Sequence, residues 1–339
     1  MIIEYPSYYE KFRCIGGQCK DTCCAGWEVD VDEESSAYYR SLKGPFAEKL
    51  RAHLCEEEGA CYFPLTKEGN CPFLQKDHLC EMFIALGEES LCQTCTEYPR
   101  YFMDIGDYEQ IDMSLSCMEL ARIFFTESER IEYIRSENEL PGEDITEEER
   151  ETLIEVLALR NQCIQLLQSE DTPFPERMQH VRALVSTAQG LDPAVADRER
   201  GYLQEDFPAL VERMKHLDSL RSEWDTLVKR YEQACEDPHF MNALPQWIKA
   251  EGTKLDAWFT KLAVYFIYRY FIDTCLDGDI EIELCLVHRS LMILLFMLYE
   301  RWTRQGTLVV EDVIDLSHLF SKEVEHDEGN VRLLKALDS

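Results

Sequence analysis

The chain has 339 residues, of which 66 are acidic and 34 are lysine or arginine, so its formal net charge is −32. Nucleic acids and anionic membrane surfaces are bound by basic protein surfaces, and this charge therefore disfavours both as partners. The same charge would attract a basic partner, such as a lysine-bearing protein. Hydrophobic residues make up 45% of the chain, which is enough to fill the core of one large or two ordinary domains.

The fifteen cysteines are concentrated near the N-terminus, with eleven in the first 117 residues and four in the remaining 222. Such density is typical of a disulfide-bonded secreted domain or of an intracellular metal-binding one. Residues 1–6 contain neither a basic segment nor an apolar one, so no secretory signal is expected. The sequence therefore predicts a cytoplasmic chain whose clustered cysteines bind metal.

The first 120 residues predict short elements joined by loops. Residues 27–31 alternate between apolar and polar side chains like a strand, and Asp32 is placed to cap the helix that follows. Gly59 is expected to end a second helix. Helices are expected at 33–42, 46–58, 79–86 and 88–95.

The clearest strand signal comes next, at 101–105 and 108–113. Gly106-Asp107 between these strands is typical of a two-residue hairpin turn. Because a hairpin of this size is marginally stable alone, we expect it to pack on another structure, and the cysteine-bound site is the nearest one.

The remainder of the chain predicts helices. Thr146 and Glu149 match a capping box before a periodic apolar run, and the acidic segment 135–150 is the expected linker. The most apolar stretches, 258–275 and 291–299, are interrupted or too short to span a membrane, so we expect buried core helices. Further helices are expected at 175–188, 208–236, 254–276, 281–304, 308–325 and 329–338.

Nine cysteines fall into two closely spaced groups that suit a shared metal site. Short spacings let neighbouring thiolates converge at little entropic cost, and thiolates prefer zinc or iron–sulfur clusters to hard ions. The irregular gaps and the excess of ligands favour a [4Fe–4S] cluster, with zinc as the alternative. The other six cysteines are expected to be structural. The predicted ligands are Cys14, Cys19, Cys23 and Cys24 in the first group, and Cys71, Cys80, Cys92, Cys95 and Cys117 in the second.

Several common cofactor motifs are absent. No phosphate-binding glycine loop, nucleophile elbow or paired-histidine zinc motif is present, which argues against a Rossmann-type nucleotide domain. The three-cysteine spacing of radical-type clusters fails because residue 26 is glycine. His288-Arg289, on an otherwise apolar helix, lines an internal cavity or makes a helix-end contact, and the sequence leaves both interpretations open.

The cysteine-rich third resembles the flagellin lysine-N-methylase (FliB-type) proteins and, more broadly, a group of zinc- or iron-chelating proteins. The resemblance is carried by Cys14-x4-Cys19-x3-Cys23-Cys24-x2-Trp27, Cys71-Pro72-Phe73-Leu74, Leu79-Cys80, Gly87-Glu88-Glu89-x-Leu91-Cys92-x2-Cys95, Tyr98-Pro99-Arg100 and Leu115-Ser116-Cys117.

This resemblance implies a protein-lysine N-methyltransferase that acts on flagellin with S-adenosylmethionine as donor and a cysteine-bound iron–sulfur cluster. Glu97 and Tyr98, beside Cys95, are the nearest candidates for a general base, although no motif assigns a catalytic or donor-binding residue. The alternatives are a non-catalytic zinc-stapled binding module and an iron–sulfur enzyme with another substrate. The expected architecture is mainly α, with a cysteine-rich, metal-organised module and a small β-hairpin at 1–125, followed by an α-helical domain at 126–339.

Overall fold

The computed structural model describes residues 1–127, 130–169 and 172–337, and it confirms a mainly helical protein with small sheets. The strands are β1 Ile2–Pro6, β2 Val29–Val31, β3 Cys55–Glu57, β4 Ala60–Phe63, β5 Arg100–Ile105, β6 Tyr108–Met113 and β7 Tyr133–Glu137. The helices are α1 Glu33–Ser41, α2 Pro45–His53, α3 Glu81–Leu86, α4 Gln93–Glu97, α5 Met118–Thr126, α6 Glu147–Leu167, α7 Phe174–Ala188, α8 Pro193–Glu199, α9 Phe207–Lys215, α10 Ser222–Cys235, α11 Pro238–Ala250, α12 Gly252–Tyr270, α13 Thr274–Asp277, α14 Ile280–Gln305, α15 Val310–Phe320 and α16 Glu328–Lys335.

The chain forms two compact units, and each is built from more than one segment. The helical unit comprises Met1–Lys11, Phe102–Asp112 and Ala121–Ser339, and the cysteine unit comprises Phe12–Tyr101 and Met113–Leu120. All nine predicted metal ligands lie in the cysteine unit. The domain boundary expected between residues 125 and 126 stays a prediction.

A four-stranded sheet in the helical unit has the order β5-β6-β1-β7. The hairpin is confirmed, and Gly106 supplies the positive φ of 61° that its turn requires. β1 pairs parallel with β6 and antiparallel with β7. The linker prediction is therefore wrong for residues 135–137, because backbone pairing with β1 makes them part of a strand.

Within the helical unit the hairpin packs on helix α12, and its packing on the cysteine-bound site stays a prediction. Gln110 Nε2 donates a hydrogen bond of 2.9 Å to the carbonyl oxygen of Tyr268, and the Tyr268 hydroxyl donates to the carbonyl oxygen of Glu4 at 2.9 Å. Arg160 of α6 is fully buried beneath this sheet, where it pairs with the Glu4 carboxylate and donates to Gln110. Tyr108 also donates to Glu4, at 2.9 Å. Apolar packing and this buried polar network together give the hairpin the support that it lacks alone.

Helices α12 and α14 form the centre of the helical unit. Residues 262–268 of α12 are all buried, as are most residues of α14, which confirms the expected core helices. By length and composition α14 could also cross a membrane, but 78% of its most apolar stretch is buried inside the protein. A core helix of this kind needs no lipid to cover it.

Several predicted helix bounds are wrong. The helix expected at 46–58 ends at His53, because the residues after it form β3 and pair with β4. The helix expected at 208–236 is two helices, α9 and α10. Three of the described helices lie outside the expected ranges: α5, α8, and α11, which tolerates Pro245 inside it. The last helix ends at Lys335, and residue 338 of its predicted range lies outside the described residues.

Candidate metal centre and an apolar cleft

A small sheet and two caps form the scaffold of the cysteine unit. The sheet has the order β2-β4-β3, and its core includes Tyr39, Phe63 and Phe73. The Asp32 carboxylate caps α1 by accepting a hydrogen bond from Ser35 N at 2.8 Å, as predicted. It also accepts from Gln93 N at 2.9 Å, so the same side chain holds the start of α4. The Asp32 carboxylate therefore holds the residue after β2 close to the start of α4, where Cys92 and Cys95 lie.

Five of the predicted ligands pack together in this core. Cys71 and Cys92 are buried within it, and the other three lie partly buried against it. Backbone pairing supports the arrangement, since Cys71 N donates to the carbonyl oxygen of Cys24 at 2.8 Å and Cys80 forms a β-bridge with Leu74. The members of this core group are Cys24, Cys71, Cys80, Cys92 and Cys95.

The thiols of the core group influence one another. Burial, with smaller contributions from the neighbouring Cys24, Cys80 and Cys92, raises the pKa of Cys71 to about 12. The hydrogen bond between the Cys92 and Cys95 side chains lowers the pKa of Cys92 and raises that of Cys95. Thiolates gathered this closely repel one another, and a bound cation would stabilise their charged forms.

The remaining four ligands form a loop group: Cys14, Cys19, Cys23 and Cys117. Burial raises the pKa of Cys117 to about 12, with smaller contributions from Cys19 and Cys14. A hydrogen bond to the adjacent Cys24 thiol is the largest cause that raises the pKa of Cys23, followed by burial and by the Cys24, Cys117 and Cys14 charges. The neighbours Cys23 and Cys24 therefore connect the loop group to the core group. This division moves Cys117, which spacing had assigned with the second group, beside the first.

Gly17 brings the first cysteine segment against the second. A Cβ atom at this position would lie 2.6 Å from the carbonyl oxygen of Asp77, so no larger residue fits without a shift of backbone. The side chain of Leu79 covers the same glycine. The close approach depends on glycine having no side chain.

Neither suggested base is placed as a clear proton acceptor. The Tyr98 hydroxyl lies 3.1 Å from Ser116 Oγ, and burial together with Cys117 and Cys23 raises its pKa well above the usual value, so the phenol stays protonated. Its ring is 6.0 Å from that of Trp27. Glu97 accepts a hydrogen bond of 2.9 Å from Gln93 on the surface of α4. A base role for either residue stays a prediction.

The side chains predicted as ligands suit a metal that prefers sulfur, because all nine are free thiols gathered in one unit. Within the described ranges, however, no three cysteine, histidine or acidic side chains are arranged as ligands of one ion. The direct thiol contacts are pairs, Cys23 with Cys24 and Cys92 with Cys95. The ligand assignment therefore stays a prediction.

The helical unit contains an apolar cleft that the sequence did not reveal, because its walls come from helices far apart in the chain. It has a volume of about 940 Å³ and lies between α7, the junction of α11 with α12, and α14. Each of the two interpretations left open applies to one residue of the pair, and His288 is the residue that lines a cavity. The adjacent Arg289 makes the helix-end contact instead, donating to the carbonyl oxygen of Leu334 at 2.8 Å.

The sequence is similar to known proteins over part of its length. Residues 205–338 match the family model of the FliB lysine N-methylase C-terminal domain. The chain is 29% identical over 125 residues to the Lysine-N-methylases of Salmonella typhimurium and Salmonella choleraesuis, covering 35% of this chain and 31% of each relative. Part of the chain is therefore similar to FliB-type lysine N-methylases.

The chain is also similar to the Flagellar biosynthetic protein FliU of Salmonella muenchen, with 27% identity over 124 residues, which cover 35% of this chain and 73% of that protein. The match spans about a third of the length of the two lysine-N-methylases. No solved structure is significantly similar to this chain. The family model covers helical residues, whereas the resemblance seen in the sequence rests on the cysteine-rich third.

Proposed function

We propose that this chain methylates lysine side chains of flagellin, with S-adenosylmethionine as the methyl donor. The observation that carries the proposal is the match of residues 205–338 to the FliB lysine N-methylase C-terminal domain. The names of two relatives, Lysine-N-methylase and Flagellar biosynthetic protein, support the same reaction and substrate.

The reaction needs a neutral lysine held in line with the donor. The lysine Nζ lone pair forms a bond to the methyl carbon as the methyl–sulfur bond breaks, so the sulfonium becomes a thioether and the amine gives up a proton to a base. The net charge of −32 would concentrate a lysine-bearing partner near this chain. We place the reaction in the cytoplasm, which agrees with fifteen cysteines that are all free thiols.

We further propose that the core and loop groups of cysteines hold a [4Fe–4S] cluster. When bound, the cluster would supply cross-links between the short segments that carry the thiols. Metal binding and folding are coupled in such units, so loss of a ligand should release metal and unfold the cysteine unit.

Two measurements test these proposals separately. Co-expression with flagellin should produce methyllysine on flagellin by mass spectrometry, and its absence with intact protein and donor present would contradict the methylase activity. Metal analysis of anaerobically purified protein should find iron and sulfide. A colourless protein with stoichiometric zinc would instead identify the zinc-stapled module.

Two buried cysteines provide a matched pair of variants. Cys71→Ser should lower metal content, because Cys71 lies among the thiols of the core group. Cys163→Ser, at a fully buried position in the helical unit, should leave metal content unchanged. Equal metal content in the two variants would show that the core group has been assigned wrongly.

A further inference from the structure

The cleft of the helical unit has the dimensions and walls of a small-molecule site. Its volume of about 940 Å³ is near the upper end of the range for ligand pockets, about 300–1,000 Å³. Most of its lining is apolar or aromatic, which suits the body of an organic ligand. The principal apolar residues are Phe174, Met178, Phe259, Leu291, Met292 and Leu295.

One buried side-chain nitrogen in the lining of this cleft has unused hydrogen-bonding capacity. Arg182 Nε is buried without a hydrogen-bond partner in the described part of the chain. Its nearest carboxylate, Asp197, is 3.5 Å away and already accepts a hydrogen bond of 2.7 Å from Arg200. His288 also lines the cleft, close enough to Arg182 for the guanidinium charge to act on the imidazole. A buried donor such as Arg182 Nε is costly unless a ligand accepts a hydrogen bond from it.

The charge of the cleft is opposite to that of the whole protein. Lys249 is an exposed lining residue and Arg182 a partly buried one, and both are cationic. The acidic lining residue Asp256 accepts a hydrogen bond from Phe174 N at 2.6 Å and forms an ion pair with Arg177. The Asp256 charge is therefore compensated. The Arg182 charge is partly compensated by Asp197, and Lys249 adds a positive charge to this cleft in a chain of net charge −32.

We propose that this cleft binds a small organic molecule that carries a carboxylate on an apolar or aromatic body. The carboxylate accepts hydrogen bonds from Arg182 and His288, and the body packs between the walls formed by α7, α12 and α14. This inference does not depend on the methyl-transfer proposal. The carboxylate and aromatic base of the methyl donor have this chemistry, and so does a medium-chain fatty acid.

Calorimetric titration of the full chain with S-adenosylhomocysteine and with decanoate tests the proposal. At least one ligand should bind saturably, and Arg182→Gln should weaken that binding by about tenfold or more, as expected for loss of a charge-assisted hydrogen bond. Arg198→Gln, a change of the same kind at an exposed arginine of the same unit, should leave binding unchanged.

A second variant fills the cleft without changing its charge. Met292→Trp should abolish binding, whereas Ile154→Trp, at a position 62% exposed in the same unit, should not affect it. If S-adenosylhomocysteine competes with decanoate, the methyl donor is one ligand of the cleft. If only decanoate binds, the ligand is a carboxylate on an apolar chain. The proposal is overturned if neither ligand binds saturably, or if Arg182→Gln and Met292→Trp both bind like wild type.

Discussion

His288 should make the helical unit sensitive to acid. Burial, together with the charges of Arg182 and Arg289, lowers the pKa of His288 from about 6.5 to about 4, although Glu205 acts in the opposite direction. The unfolded chain therefore binds a proton that the folded chain excludes once the pH falls below 6.5. The contribution of neutral His288 is complete above pH 6.5 and is lost as the pH falls towards 4.

The magnitude follows from the difference between the two pKa values. A difference of about 2.5 units, at about 1.4 kcal/mol each, corresponds to roughly 3 kcal/mol lost in full near pH 4. At pH 5 about 2 kcal/mol of this is already lost. His288→Phe keeps an aromatic ring that can pack on Tyr202, whose ring centre lies 5.6 Å from that of the imidazole, but it cannot bind a proton.

Urea unfolding followed by tryptophan fluorescence measures this effect, because four of the five tryptophans report on the helical unit. Between pH 7.5 and pH 5, wild type should lose about 2 kcal/mol more than His288→Phe does, since all other titrations cancel in the comparison. The exposed His180→Phe variant should behave like wild type. Equal losses in wild type and His288→Phe would refute the reasoning. The four reporters are Trp224, Trp247, Trp258 and Trp302.

Three further changes test the fold. Glu4→Gln should destabilise the helical unit by about 3–5 kcal/mol in urea unfolding, because the fully buried Arg160 loses its carboxylate partner. Gly17→Ala should lower metal content without touching a thiol, because its Cβ would collide with the carbonyl oxygen of Asp77; metal content equal to wild type would contradict a role for this close approach. Thr146→Ala should lower the free energy of unfolding by about 1 kcal/mol through loss of the observed capping box, and no change in the urea midpoint would show that this helix end frays anyway.

Local signals were predicted well because their causes are local. The caps at Asp32 and Thr146 depend on residues within three positions, and the hairpin turn depends on two. The helix predicted through residue 58 was wrong because Cys55–Glu57 gains more from pairing with the next strand than its acidic composition suggests. The pairing of β1 with β7 joins residues more than a hundred positions apart, and no periodicity could reveal it.

In the candidate site, too, local features could be predicted from the sequence and long-range ones could not. Close spacing predicted that the cysteines would gather, and the structure places all nine in one unit. Spacing alone did not show that Cys117 lies near Cys14 and Cys19, since the chain returns to the loop group only through the fold. The cleft was missed because Arg182 and His288 lie on helices about a hundred residues apart, and neither carries a motif.

The position of β1 also sets an order of events during synthesis. Its partners β6 and β7 end more than a hundred residues later, so the N-terminal strand leaves the ribosome long before it can be paired. At about 5–20 residues per second, the roughly 130 intervening residues take about 7–26 s to synthesise. All nine candidate thiols emerge within that interval. The thiols of the cysteine unit are therefore all synthesised before β1 can pair with β7 and complete the sheet.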